Sequence, residues 1–341
     1  MIWAAEVTLN DVTDGLIGFF KDPAILFGIP LALLGAVFMS FGAQYQHRGV
    51  AKVARLSGAS GATGLSLGQL GSLFRRPSWV SGTVMLGLAI GCQLAALAFA
   101  PLIIVQPIGA ISLVITTLLN ARVTGVKPTK QSIQAIIACV GGIFIFVTIA
   151  AFFAVENPVT VRELVIILSL LGVVLLVLAG LWLWLRKRGQ ALFYIVASGV
   201  IYGFVATLAK VVIERVKDGA FEWLTLLCLI ALIAAVAIGA YFVQTAYAVG
   251  PPDLVIAGLT VIDPIVAVAI GLTVLQEAAT APPWAFVGFA IAGLIAIYGV
   301  VTLAKHHPIL EIERAEDAAE AAAAAEATDP GGASNGDLTG A

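Results

Sequence analysis

Residues 164–185 read LVIILSLLGVVLLVLAGLWLWL, a stretch without a single charge, bounded by Glu163 before it and by Arg186-Lys187-Arg188 after it. A helix rises 1.5 Å per residue, so about 20 such residues cross the ~30 Å hydrocarbon core of a bilayer. The run is uninterrupted and twice the ~10-residue length of an alternating barrel strand, so it reads as a helix. In lipid there is no water to satisfy backbone amides and carbonyls, and a helix satisfies them within the segment.

Working outward, eight more apolar runs of this kind appear, at about 24–45, 79–99, 101–121, 132–153, 191–212, 223–248, 254–275 and 283–304. The chain is 60% hydrophobic and 11% charged, against roughly 25% charged residues in a soluble domain. A chain this apolar cannot cover itself with polar groups, and its outside must face lipid. The expected fold is all-α, a polytopic membrane bundle of nine transmembrane helices. Cys92, Cys139 and Cys228 lie inside apolar runs without metal-like spacing and read as small packing residues.

Loop charges predict the orientation. Arg48, Lys52, Arg55, Arg75 and Arg76 follow the first run; Arg122, Lys127 and Lys130 follow the third; Arg186, Lys187 and Arg188 follow the fifth. The intervening loops carry acids, Glu156 and Glu163 in one and Glu214, Asp218 and Glu222 in another. The positive-inside rule then puts the N-terminus outside and the C-terminus in the cytoplasm, across a plasma or inner membrane. Residues 1–23 form an extracytoplasmic segment without the basic-then-apolar order of a signal peptide. Residues 24–153 form a first membrane unit with a cytoplasmic loop at 46–78, and residues 164–304 a second. Residues 305–341 make an acidic, Ala-rich tail, with eight acids and one base (Arg314) from residue 309 onward. That composition predicts a solvated, largely disordered extension.

The two units read alike. AFAPLIIVQPIGAISLVITTLLN, from Ala98, and AVGPPDLVIAGLTVIDPIVAVAI, from Ala248, align at an offset of 150 residues, each preceded by a Gln (Gln93, Gln244) about two turns before a Pro. The loop charges place the first Pro-containing link outside and the second inside. The units are therefore expected to form an inverted repeat of four plus five helices.

The stretch Ala98–Ala110 resembles the drug/metabolite transporter superfamily (DMT, EamA-like), in particular its NIPA-like, magnesium transporter-type branch. FGAQYQHRGVAKVA at 41–54, Trp79 and VLQE at 274–277 are similar too. The resemblance implies two inverted units around a central cavity with alternating access. It also implies transport of magnesium or, across the wider superfamily, of small metabolites and drugs. Two positions depart from the NIPA pattern. Ile90 stands where an acid is usual in the second span, and Thr124-Gly125-Val126 replaces an acid after the third.

Asp263 is the sharpest candidate, ten residues into the eighth run and directly before Pro264. A charge at the bilayer centre costs several kcal/mol unless it faces protein, water or a partner. Pro264 removes a helical donor and frees a carbonyl beside it. That chemistry suits a coupling proton, a coupling ion or a cationic substrate; a carboxyl kept protonated, or paired to lock helices together, is the structural alternative. In the third run Gln106, Thr117 and Asn120 share a face, with Gly109 beside them; the face suits either the lining of a polar cavity or interhelical hydrogen bonds with Gly109 permitting close packing. Pro107 and Pro264 are the candidate helix-break residues, although Pro107 also suits the first turn of an unkinked helix. Gln93, Gln244 and Tyr241 complete the candidate substrate or coupling-ion set, with Tyr241 equally suited to an interfacial anchor. Tyr194, Ser198 and Tyr202 share a face of the sixth run. Lys210, near the outer end of that run, is expected to snorkel to the headgroups, with pairing to an acid in the cavity as the alternative. Glu277 is expected within reach of water, and His306-His307 to sit at the cytoplasmic boundary.

No phosphate-binding Gly-rich loop and no catalytic constellation occur, so neither an enzyme nor a cofactor is expected. The expected partners are the lipid bilayer and a small-molecule or cation substrate, with no nucleic acid. A homodimer is one assembly open to the chain. The leading functional expectation is a secondary transporter of a small polar or cationic solute. The alternatives are a magnesium or other divalent-cation transporter, its metal ligands not identified by the sequence, and a non-transport membrane scaffold acting through its acidic tail.

Overall fold

The computed structural model describes residues 24–57, 75–124, 128–185, 191–249 and 252–305. The segment 1–23, residues 58–74 of the long loop, the side chain of Asn120, His306-His307 and the acidic tail lie outside the described residues. Among the described residues every regular element is helical.

A π-helical turn, Ala24–Gly28, leads into α1 (Ile29–Ser57). Then come α2 (Pro77–Phe99), α3 (Leu102–Gly109), α4 (Ile111–Thr124), α5 (Lys130–Phe153) and α6 (Val161–Leu185). The second half holds α7 (Ala191–Lys217), α8 (Trp223–Val249), α9 (Pro252–Thr273) and α10 (Pro283–Lys305). Eight stretches are long and apolar enough to cross a membrane, α3 and α4 counting together as one. The ninth expected span falls on α9, whose searched apolar stretch, Gly258–Thr273, is shorter than a full crossing.

The bundle turns large apolar side chains outward. Leu176 is 75% exposed, Phe144 71% and Leu294 66%; in water such a surface would aggregate, in lipid it is solvated. The centre is α3, where Leu102, Ile103, Ile104 and Val105 are all enclosed. Around it α1 lies along α2, α7 along α8, α9 against α7, and α5 along α10.

The α5–α10 contact sets backbone against backbone. A Cβ placed on Gly142 would come within 2.8 Å of Ala292 O and 2.5 Å of Ala296 N; one on Gly299 would come within 2.7 Å of Ala135 O and 2.3 Å of Cys139 N. Each helix thus offers a glycine to the backbone of the other, and small residues of this kind let membrane helices pack on van der Waals contact alone. Gly199 and Gly203 serve α7 in the same way against Ile262, Asp263 and Val266 of α9.

Span three differs from the expected single helix. It is broken at Ala110, three residues after Pro107, where Ala110 N–H bonds back to Pro107 O (3.2 Å) and Leu113 N–H to Ala110 O (3.2 Å). These are tight i to i+3 bonds, consistent with a ring that removes one amide donor and clashes with the preceding turn. The break falls three residues after Pro107, one of the two candidate helix-break residues, and the alternative of an unkinked first-turn proline does not describe it. Pro264 behaves in the opposite way: α9 runs unbroken from Pro252 to Thr273, so this proline bends at most and does not interrupt. Gly109 borders open space, so of the two readings of that face the one that packs a helix closely on Gly109 does not hold.

Thr129 caps α5, its Oγ1 accepting from Ser132 N–H at 3.1 Å. Losing that acceptor strands a helix-end donor, and Thr129→Ala is expected to cost about 1 kcal/mol, measurable as a lower unfolding midpoint in detergent.

Candidate functional site

Asp263 lies halfway along α9. Gly199 and Gly203 bring α7 against its backbone, with Asp263 O 3.0 Å from the position a Cβ on Gly203 would take. The residue as a whole is half-buried, but its Oδ1 is enclosed and has no hydrogen-bond partner. Tyr202 of α7 lies close enough to interact with it electrostatically. Ser198 on the same face spends its hydroxyl on Ile195 O (2.9 Å). An enclosed carboxylate oxygen without a donor costs the full desolvation of that group. The position is therefore suited to taking up a proton or a cation, and among the described residues none holds its Oδ1.

Beside it, Pro107 of α3 and Pro264 of α9 border one cavity of about 100 Å³, walled also by Phe146, Val268, Gly293 and Ala296. Thr260 is the one polar side chain in its wall, and its hydroxyl is committed to Ile256 O (2.8 Å).

The other candidates scatter. Gln106 is buried at 6% exposure in α3, next to the break. Thr117 is fully buried and turns its hydroxyl onto Leu113 O (2.8 Å) of its own helix. Gln93 is half-buried on α2, Gln244 is exposed on α8, and Tyr241 is 58% exposed beside Phe242. The break at Ala110 separates Gln106 from Thr117, so the stripe drawn on one continuous helix is not preserved. None of these side chains lines the cavity between the two prolines.

A second polar cluster lies where two expectations are overturned. Lys210 is only 4% exposed. Its Nζ donates to Glu156 Oε1 (2.6 Å), Glu214 Oε1 (3.1 Å), Leu97 O (2.8 Å) and Ala100 O (3.1 Å). It does not snorkel to headgroups. Glu277 is 3% exposed, and its two carboxylate oxygens accept from Leu102 N–H and Ile103 N–H, both at 2.9 Å. It is not a solvated loop acid. Burial pushes Glu277 up from the ordinary carboxylate range to about 7, helped by Glu156 and opposed by the two amides and Lys210. The motif at 274–277 was the only sequence signal for this cluster. Hydropathy cannot pair residues 210 and 277 with a link more than 100 positions upstream.

Lipid-facing helices around a buried carboxylate define an integral membrane protein of the polytopic α-helical class. Residues 24–183 match the family model described as magnesium transporter NIPA, so the NIPA-like resemblance holds over that stretch. That family is one of membrane transporters and not a class of enzymes. An uncharacterised protein of Corynebacterium glutamicum is 26% identical over 284 residues, which cover 82% of this chain and 95% of the relative. No solved structure matches.

Proposed function

We propose that the chain is a secondary transporter of the DMT type that moves a small cation or cationic solute by alternating access. In this reading Asp263 binds the cargo or the coupling proton. The observation that carries the reading is the enclosed, partnerless Oδ1 of Asp263 halfway along α9. Carboxylates inside a membrane bundle are costly and mark ion and proton pathways. Pro264 has no amide proton, so the Thr260 carbonyl one turn earlier lacks its helical donor and supplies a second oxygen nearby.

Nine spans follow if α9 is counted. It has 22 residues, about 33 Å at 1.5 Å per residue, enough for the hydrocarbon core. The units 24–153 and 164–304, with the N-terminus outside and the C-terminus cytoplasmic, then form the inverted repeat.

Reciprocal packing supports that repeat. Gly142 on Ala292 and Ala296 is mirrored by Gly299 on Ala135 and Cys139, each residue matching its counterpart at an offset of 157. Contacts exchanged in this way between antiparallel helices are those of a two-fold axis lying in the membrane plane. The same offset sets Gln106-Pro107 on Asp263-Pro264. The offset of 150 instead matches the links, Pro101 with Pro251. The difference is two turns of helix: α3 begins five residues before its proline and α9 twelve before its own. Buried Gln106 is thereby the neutral counterpart of Asp263.

Magnesium is the first cargo to test, because the family match names it. Among the described residues no three His, Cys, Asp or Glu side chains gather as a ligand group. Magnesium keeps several of its waters and uses few protein oxygens, which suits one carboxylate with carbonyls. The purified chain in proteoliposomes loaded with a magnesium-sensitive dye should carry magnesium above the rate of empty vesicles. Flux of an organic cation driven by a pH gradient, without magnesium flux, would assign the metabolite reading. Neither flux would remove the transporter reading.

A further inference from the structure

The link between α2 and α3, Ala100-Pro101, belongs to the first unit, yet both of its flanking helix ends are completed by charged side chains of the second. Four carbonyls at the end of an α-helix and four amides at the start of the next lack intrahelical partners. At the α2 end, Leu97 O and Ala100 O take Lys210 Nζ, and Ala98 O takes Lys217 Nζ at 2.7 Å. At the α3 end, Leu102 N–H and Ile103 N–H take the Glu277 carboxylate. A cation thus sits at a helix C-terminus and, once Glu277 has lost its proton, an anion at a helix N-terminus, each the favourable sign for the helix dipole.

The neighbouring links join the same knot. Val155 N–H bonds to Glu277 O (2.7 Å), Asn157 Nδ2 to Leu275 O (3.3 Å) and Gln276 O (3.1 Å), and Arg215 Nη1 to Val159 O (3.3 Å). Gln276 holds the left-handed φ of 53°, uncommon for a residue with a side chain. That turn folds Glu277 back over Gly271, where a Cβ would come within 2.7 Å of its Oε2. By contrast, α5 and α10 join the two units at the glycine–alanine crossing through small residues.

We propose that Lys210 and Glu277 form the gate that closes the extracytoplasmic end of the pathway, gripping the α2–α3 link when shut and releasing it when the two units rock apart. This rests on the transporter reading and on the orientation given above. Buried charge pairs suit a reversible contact, because the desolvation they suffer on closing offsets much of their attraction, whereas an apolar plug of the same size would hold more firmly.

The gate also titrates. The charges facing Glu277 are Lys210 of α7 and Glu156 of the α5–α6 link; Glu214 shares Lys210 and Lys217. Shut, Glu277 holds its proton up to about pH 7; opened to water it returns to the ordinary range near 4.5. The shut form therefore binds the extra proton, and opening releases it. Between those two values a fall in pH favours closure; above about 7 the dependence levels off.

The test is accessibility. In a chain with Cys92, Cys139 and Cys228 replaced by Ala, Ile104→Cys places a thiol one turn below the gate, at a position 1% exposed in the shut form. A membrane-impermeant maleimide is added to either face of sealed vesicles. From the extracytoplasmic face, labelling, taken as the rate relative to that of glutathione with the same reagent at each pH so that the thiolate's own rise cancels, should accelerate as pH rises from 5 to 7. Glu277→Ala and Lys210→Ala, which leave amides or carbonyls uncapped, should raise it at least about tenfold. Glu277→Gln, the uncharged mimic of the protonated acid, should stay slow and lose the pH dependence. Unchanged labelling in both Ala variants, or a flat profile in the parent chain, overturns the gate. If an Ala variant fails to fold, the pH profiles of the parent and Glu277→Gln still decide. No cargo is used, so failure of the magnesium flux leaves this result standing, and failure here leaves Asp263 untouched.

Discussion

Leucine at Gly142 or Gly299 is expected to destabilise the solubilised protein by about 3 kcal/mol or more, while leucine at Gly141 leaves it nearly unchanged. Overfilling a packed core costs typically 1–3 kcal/mol, and more where the obstacle cannot move. Here the obstacle is helix backbone: Ala296 N at 2.5 Å from one Cβ and Cys139 N at 2.3 Å from the other, with open space around Gly141. A side chain there can be accommodated only if α5 and α10 separate along their whole contact. Thermal unfolding midpoints of the three variants in detergent check the expectation. A Gly142→Leu protein as stable as Gly141→Leu would show that the two units do not meet at this crossing, and would remove the main support for their two-fold relation.

Asp263→Asn is expected to lower flux by roughly 10- to 100-fold, a barrier increase of about 1.4 to 2.7 kcal/mol, while the fold becomes no less stable. The two halves of that expectation separate a functional acid from a structural one. A carboxylate that locks helices loses stability when its charge is removed, because its partner is stranded. Asp263 Oδ1 has no partner to strand, so an amide of the same shape relieves desolvation and takes away only the site for a proton or cation. Gains in stability with loss of function are the usual mark of a strained functional group. Flux in proteoliposomes beside an unfolding curve of the same preparation measures both. Full flux in the Asn variant would move the site elsewhere, with Gln106 as the next position to substitute.

The apolar spans were legible in the chain because helix length is imposed by bilayer thickness and the run of residues 164–185 has no other use. The proposed repeat was legible in part. The links align at one offset and the prolines at another, and a reading along the chain cannot choose between them. The crossing of α5 and α10 supports the second offset, because reciprocal contact is a property of two helices together.

The candidate site shows the same division. Asp263 was visible because a charge inside an apolar run is anomalous wherever its side chain points. The Gln106, Thr117 and Asn120 stripe assumed one continuous helix, and the break after Pro107 falls between Gln106 and the other two. Gln244 and Tyr241 share their helix face with the exterior of the bundle, a direction fixed by neighbouring helices alone.

What the sequence by itself determined is the class: nearly all of this chain's free energy of placement comes from transferring apolar helices out of water, which is local and additive. What only the tertiary structure decided is where its charges stand. Lys210 and Glu277 look like rim residues until the ends of α2 and α3 are brought to them. A buried charge is tolerable only beside the dipoles that compensate it, and those come from a part of the chain more than 100 residues away.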